Sequence, residues 1–210
     1  MPAMFPPLNE RMENKKKKKY QRQIFFSPPN TFRIRVLGPE HEPALRILCK
    51  ECSDYCTMVT GREPRLNDAG KILNELPPGK SKEDKFVYGL LDREERLVGI
   101  LDVVRNYHEE GEWTIGLLMI RPEDRGRGEG RRMHAFVKLK VIEQGGRCLR
   151  LGVLENNTRA WKFWRELGYK EHDFVTRRYE GKDHSVVIMK LPLYSDEKSA
   201  LADIVTDLLD

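Results

Sequence analysis

The residues with the clearest chemical potential stand together at positions 125–131. Arg125, Gly126, Arg127, Gly128, Glu129, Gly130 and Arg131 alternate guanidinium groups with glycine. A short apolar segment at 113–120 and the turn signal Arg121-Pro122-Glu123-Asp124 precede the run. After it, Met133, Phe136, Val137 and Val141 recur at helical spacing. The order is therefore strand, glycine loop, helix. Glycine lets the main chain approach a ligand without a Cβ in the way. The first amides of a helix have no partners inside it and sit at the positive end of its dipole. With Arg125, Arg127 and Arg131 adding to that field, the loop suits a phosphate or pyrophosphate.

Two phosphate-binding patterns do not fit. A P-loop closes with Gly-Lys-Ser/Thr, whereas this loop closes Gly130-Arg131-Arg132. The dinucleotide fingerprint requires a third glycine where this chain has Arg131. The pattern that fits is Arg/Gln-x-x-Gly-x-Gly/Ala, from Arg125 to Gly130, after the strand exit Ile120-Arg121-Pro122. It resembles the coenzyme A pyrophosphate loop of the GNAT N-acetyltransferase superfamily. A second stretch strengthens the resemblance. Leu149, Leu151 and Val153 alternate with Arg150 and Gly152 as a half-buried strand. Asn157 or Thr158 then caps a helix with Ala160, Phe163, Trp164 and Leu167 on one face, and Gly168 stops it. The superfamily carries Asn-x-x-Ala-x-x-Phe-Tyr-x-x-x-Gly-Phe after the corresponding strand. Asn157, Ala160, Phe163, Gly168 and Tyr169 match in order.

The resemblance covers residues 31–192 and implies an α/β fold with a mixed, mostly antiparallel sheet and flanking helices. Its two central parallel strands, 112–120 and 148–153, would splay apart to admit acetyl-CoA. It also implies an oxyanion donor in the Leu118 amide, with Leu118, Met119 and Ile120 as main-chain contacts to the pantetheine arm. Arg125, Gly126, Arg127, Gly128, Gly130 and Arg131 would hold the pyrophosphate, and Asn157 and Trp164 would line the cofactor channel.

Acetyl transfer to an amine sets its own requirements. At an ordinary pKa of ~10.4, only about one lysine-like amine in a few thousand is neutral at pH 7, so a base is needed. The superfamily often places a Glu four residues before the oxyanion donor; here that position is Thr114. Glu112, two residues further back on the same strand face, is the candidate base, with Tyr107 and His108 in the adjoining loop as rivals. The superfamily's proton-donating tyrosine falls on Trp164, whose indole N–H is no proton shuttle near neutral pH. Either water protonates the leaving thiolate or another tyrosine, Tyr55 or Tyr107, takes over. The expected activity is N-acetylation of a primary amine of a small molecule or peptide through a ternary complex. The departures at Thr114 and Trp164 keep a second reading open, a coenzyme A-binding module without turnover. No motif names the acceptor, although Asp54, Glu63 and Asp68 could attract a cationic amine.

The elements around this centre follow from patterning. The alternation of Phe32, Ile34 and Val36 with arginines predicts a strand. Gly38-Pro39 ends it, and a helix is expected from Pro43 in its first turn to about Met58. A further helix over 67–76 would end at Pro77-Pro78-Gly79. Segments 86–91 and 97–104 read as a hairpin, and 174–179 with 185–191 as a closing one. Leu201, Ile204, Val205 and Leu208 place a helix over 196–210, set to pack on the domain or on a second copy in a homodimer. Cys49, Cys52 and Cys56 form one helical stripe with Cys148 far off, so they read as reduced core thiols and no metal is expected.

The 210-residue chain carries a formal net charge of +5. Residues 1–37 hold nine Lys/Arg against two Glu, so the rest is nearly neutral. Residues 1–30, with the run Lys15-Lys16-Lys17-Lys18-Lys19, are read as a mobile, solvated tail. Nucleic-acid or membrane binding by the tail would need an aromatic or amphipathic continuation, and Ile24-Phe25-Phe26 stands isolated. There is no signal-type segment and no apolar run near the ~18 residues a membrane span needs, so a cytoplasmic protein is expected. The resulting division is a tail at 1–30, a domain at 31–192 and a helical extension at 193–210.

Overall fold

A computed structural model of the chain describes residues 32–206. The expected tail at 1–30 and Leu208 lie outside the described residues. The strands are β1 (Arg33–Val36), β2 (Lys85–Leu91), β3 (Leu97–Val104), β4 (Glu112–Ile120), β5 (Cys148–Leu154), β6 (Lys170–Tyr179) and β7 (Lys182–Pro192). The helices are α1 (Glu42–Glu51), α2 (Ser53–Thr60), α3 (Asp68–Asn74), α4 (Glu129–Glu143), α5 (Thr158–Glu166) and α6 (Lys198–Val205). The seven strands form one sheet in the order β1-β2-β3-β4-β5-β7-β6. Every neighbouring pair is antiparallel except β4 and β5.

The sheet divides the interior. On one face, α4, α5 and α6 cover Leu101, Trp113, Ile115, Leu149, Leu151 and Met189. On the other, α1 and α3 bring Leu45, Leu48 and Ala69 against Val87, Ile100 and Met119. Burying a leucine such as Leu45 stabilises the fold by roughly 1.5–3 kcal/mol. The near-continuous apolar runs of β2 and β3 reflect this cover on both faces. Leu201 and Val205 of α6 are buried in the first cluster, so the terminal helix packs on its own domain.

Two features of β4 position the site. Its pairing with β5 runs only from Glu112/Cys148 to Ile115/Leu151. Beyond that point β4 stays bonded to β3 and β5 to β7, and the two central strands part. In addition, Leu117 pairs with Asp102 while Ile115 pairs with Val103, leaving Gly116 as the extra residue of a β-bulge.

The structure departs from the expected elements in three places. The single helix expected to Met58 is two, broken at Cys52, whose φ −99° and ψ 30° lie outside the helical well. No Gly or Pro marks the break. The Cys52 thiol is buried there and donates to the Ile120 carbonyl at 3.6 Å, so a tertiary contact overrides the helical stripe. The closing hairpin is longer than expected, joined by Glu180-Gly181 with φ of 49° and 84°. Both values are left-handed, as a two-residue turn between twisted strands requires. The terminal helix begins at Lys198 rather than at 196, behind a 3-10 turn at Ser195–Glu197, and is described to Val205; residues 207–210 lie outside the described residues.

Candidate active site

The parting of β4 and β5 opens a cleft of about 510 Å³. Its walls are the free ends of β4 and β5, α2, the loop into α4, and the cleft-facing side of α5; Tyr179 and Val186 of the closing hairpin complete them. Leu118, Met119, Ile120, Arg125, Gly126, Gly128, Gly130, Arg131, Asn157 and Trp164 line it.

The loop into α4 is a cradle of donors. Gly126 and Gly128 have φ of 79° and 100°, a region glycine enters at little cost, and a Cβ on either would meet nothing within 4 Å. Turned this way, the main-chain N–H groups of 126–130 find no acceptor among the described residues, whereas those of Arg131 and Arg132 bond the Gly128 carbonyl. Gly130 must be small for another reason, because a Cβ would sit 3.3 Å from the Phe163 ring of α5. One side-chain donor joins the amides: Arg131 Nη1 is buried and unpartnered. The set fits a pyrophosphate.

The arginines divide their work. Arg125 donates from Nε to the Ile120 carbonyl at 2.7 Å and grips the Asp54 carboxylate with both Nη groups, the second at 2.9 Å. That grip holds the Asp54 carboxyl below its usual range. Arg125 is thus a strut between the strand exit and α2. Arg131 pairs with Glu166 of α5. Arg127 is exposed, outside the cleft lining, and 3.5 Å from Asp124. Arg159, unmarked by any motif, stands at the cleft mouth and forms no ion pair among the described residues.

Asn157 caps α5, its Oδ1 accepting from the Ala160 amide at 3.1 Å. Trp164 is buried, its ring edge-on to Phe163, Tyr169 and His134 at 4.9, 5.2 and 5.9 Å between centroids. His134 Nε2 and the Tyr169 hydroxyl are 3.1 Å apart behind it. Tyr55 of α2 lines the cleft. Burial first, and Tyr179 second, push its hydroxyl pKa up to about 12, so it is a protonated O–H donor throughout the neutral range.

Glu112 and Tyr107 are placed elsewhere and do not line the cleft. Glu112 lies at the closed end of the β4–β5 pair, opposite Cys148. It is buried, 2.6 Å from Lys190 Nζ and 3.6 Å from Arg150 Nε. Tyr107 belongs to a loop folded back on β4, its carbonyl accepting from Thr114 Oγ1 at 3.1 Å. The His108 ring packs against it, 4.1 Å between centroids and tilted by 40°, and meets Arg150 at 2.7 Å; burial and then Arg150 lower its pKa. Among the described residues no group of three or more His, Cys, Asp or Glu is arranged to hold a metal, and no helix is long and apolar enough to cross a membrane.

Comparison with known proteins agrees with this geometry. The acetyltransferase (GNAT) family model matches residues 54–169. An acetyltransferase from Thermus thermophilus is 25% identical, with 78% of this chain and 97% of that one covered at a TM-score of 0.60. The ribosomal-protein-S18-alanine N-acetyltransferase of Escherichia coli shares the fold at 16% identity, TM-score 0.59, covering 77% of this chain and 94% of its own. So does the PaiA N-acetyltransferase of Thermoplasma acidophilum, solved in complex with coenzyme A, at 19% identity and TM-score 0.60, covering 77% and 99%. No curated protein matches the sequence significantly.

Proposed function

The chain belongs to the acetyltransferase (GNAT) family, and on that footing we propose that it transfers the acetyl group of acetyl-CoA to a primary amine of a small molecule or peptide, with both substrates held in the cleft at once. The observation that carries this reading is the splayed β4–β5 opening that runs to the unpartnered amides of 126–130. Acetyl-CoA, when bound, supplies the thioester carbonyl that the amine attacks. The amides of 126–130 and Arg131 Nη1 hold the pyrophosphate. Beyond Ile115, β4 is bonded on one side only, so alternate N–H groups face the opening. The Leu118 amide is the one assigned to the oxyanion, and Met119 and Ile120 flank the pantetheine arm. Tyr55 supplies the proton for the leaving thiolate, in place of the family tyrosine that is Trp164 here. Residues 32–192 are the catalytic unit, with α6 an added brace.

Thermal unfolding with excess acetyl-CoA tests the cofactor. Saturation at about a hundred times the dissociation constant adds about 2.7 kcal/mol. For a chain of this size the midpoint should rise by roughly 5–10 °C, with no rise from NAD or ATP. Gly128→Glu and Arg131→Ala, each verified as folded without ligand, should lose most of that rise. An undiminished rise in both would remove the pyrophosphate assignment. Thiol release with a primary amine then separates an acetyltransferase from a coenzyme A-binding module without turnover.

A further inference from the structure

An ammonium acceptor must give up a proton before it can attack, and the carboxylates nearest the cleft are already committed. Asp54 is held by Arg125 and Asp124 by Arg121 at 2.8 Å; Glu112, at the closed end of the β4–β5 pair and outside the cleft, is held by Lys190 at 2.6 Å. Asp102 of β3 is also paired, with Lys85 at 3.0 Å, and does not itself line the cleft, but it lies directly behind a glycine that does. Its side chain lies on the same face as Ile100, two residues away, beneath α1 and α3. Across the ladder it meets the β4 bulge, pairing with Leu117 beside the unpaired Gly116.

Gly116 is exposed and lines the cleft. A Cβ at Gly116 would sit 3.0 Å from Asp102 Oδ2 and 3.6 Å from its carboxyl carbon. The missing side chain therefore leaves a gap between the cleft and the carboxylate. The residue after Leu117 is Leu118, assigned above to the oxyanion. Asp102 is also incompletely satisfied. Lys85 Nζ reaches Oδ2 at 3.0 Å and bonds the Glu75 carbonyl at 3.0 Å, while Oδ1 is buried without a hydrogen-bond partner. Oδ2 is the oxygen that borders the Gly116 gap, so a substrate ammonium there meets it beside Lys85 Nζ, while the orphaned Oδ1 marks the carboxylate as under-satisfied for a buried charge.

We propose that Asp102 is the catalytic base, taking the proton of the acceptor ammonium through the gap at Gly116; this rests on the N-acetyltransfer reading and deepens it. The ammonium N–H bond breaks and its proton goes to the carboxylate. The freed lone pair forms the C–N bond at the thioester carbonyl, with the Leu118 N–H on the oxyanion. As the intermediate collapses, the C–S bond breaks and the sulfur leaves as thiolate. Tyr55 gives its proton to that sulfur and regains one from the acetylated nitrogen. Asp102 releases its proton to solvent. Burial raises the Asp102 carboxyl pKa against the pull of Lys85 from β2, the one charged side chain among the described residues that acts on it. The buried cluster on that face of the sheet, formed with α1 and α3, carries no charged side chain, Gly116 adjoins Oδ2, and the Glu75 carbonyl holds Lys85 Nζ rather than Asp102. A raised pKa makes the carboxylate a stronger base.

The test is Asp102→Asn, assayed for thiol release with acetyl-CoA and propylamine, putrescine and trialanine over a range of pH. The variant should keep the acetyl-CoA thermal shift and lose about 10²–10⁴-fold in kcat/KM at pH 7. Its rate should then climb with pH as the neutral amine increases, without the acid limb of the native profile. Lys85→Met is the second variant: removing the cation raises the Asp102 pKa, so the acid limb should move to higher pH. An unchanged native-like profile in Asp102→Asn, or an unmoved acid limb in Lys85→Met, would overturn the assignment while leaving acetyl transfer standing. A native protein that shows neither thermal shift nor thiol release would take down the acetyl-transfer reading and the role of Asp102 together.

Discussion

Acid should loosen the core behind the cleft through a single imidazole. His134 on α4 is buried, with its Nε2 3.1 Å from the Tyr169 hydroxyl and its ring edge-on to Trp164. Burial first, then Lys138 and Arg131, push its pKa down to about 3. The native state therefore keeps the ring neutral, while the unfolded chain takes up a proton near the ordinary value of ~6.5. A depressed native pKa gives stability that is present above the unfolded value and is lost as pH falls from about 6.5 toward 3. At pH 5, about 1.5 units below the unfolded value, the loss is about 2 kcal/mol at 1.36 kcal/mol per unit. For a domain of this size that is roughly 4–8 °C in Tm. The assay is urea unfolding at pH 7.5 and 5.0, followed by tryptophan fluorescence, for the native chain and for His134→Gln. Glutamine can still meet the Tyr169 hydroxyl but does not titrate. The carboxylates contribute alike to both proteins and cancel in the difference. The native chain should lose about 2 kcal/mol more than the variant between the two pH values. Equal losses would refute the reasoning.

Three further outcomes follow from burial and pairing. Leu45→Ala removes a side chain with no exposed surface from the α1–sheet contact, and should cost about 2–5 kcal/mol in urea unfolding while leaving the acetyl-CoA shift intact. The Cys49 and Cys52 thiols, raised by burial to about 12 and about 11, should resist iodoacetamide at pH 8 until urea is added; rapid labelling of the folded protein would contradict their placement. Arg62, which joins Asp68 at 2.8 Å to Glu180 at 2.9 Å, ties the α2–α3 connection to the closing hairpin. Arg62→Ala should raise KM for the amine with little effect on acetyl-CoA binding, and a raised KM for acetyl-CoA alone would contradict that.

The parts of the site that were legible in the sequence are those built from local backbone chemistry. A glycine-rich turn needs its glycines where φ is positive, and Gly126 and Gly128 are there. A helix needs an N-cap, and Asn157 supplies it. What stayed hidden was set by partners distant in the chain. The break at Cys52 answers to the Ile120 carbonyl, 68 residues on, and brings Asp54 and Tyr55 to the cleft. Arg125 reads as a phosphate ligand from its motif position, yet Asp54, 71 residues earlier, occupies its guanidinium. Two signals were present and carried no weight. A lone glycine inside an apolar strand, Gly116, marks a bulge. One acid inside an otherwise apolar run, Asp102 among Leu97–Val104, marks a buried charge that must have a reason.

Splaying β4 from β5 removes the hydrogen bonds that would otherwise fix the distance between them. The width of the cleft must then be held from its perimeter, and the perimeter is ionic. Arg125 ties the strand exit to Asp54 of α2, Arg131 ties the loop helix to Glu166 of α5, and Arg62 ties the α2–α3 connection to Glu180 of the hairpin. Exposed or half-exposed pairs of this kind are each worth little, about 0–1 kcal/mol, and are screened by salt. Arg125 and Arg131 thus spend guanidinium nitrogens on ties, and the donors left without partners among the described residues are the main-chain N–H groups of 126–130 and Arg131 Nη1. On the proposed reading, ties this weak let the cleft width adjust to its occupants at a cost of about 0–1 kcal/mol per pair, while the unpartnered donors stay where the positive φ of Gly126 and Gly128 sets them.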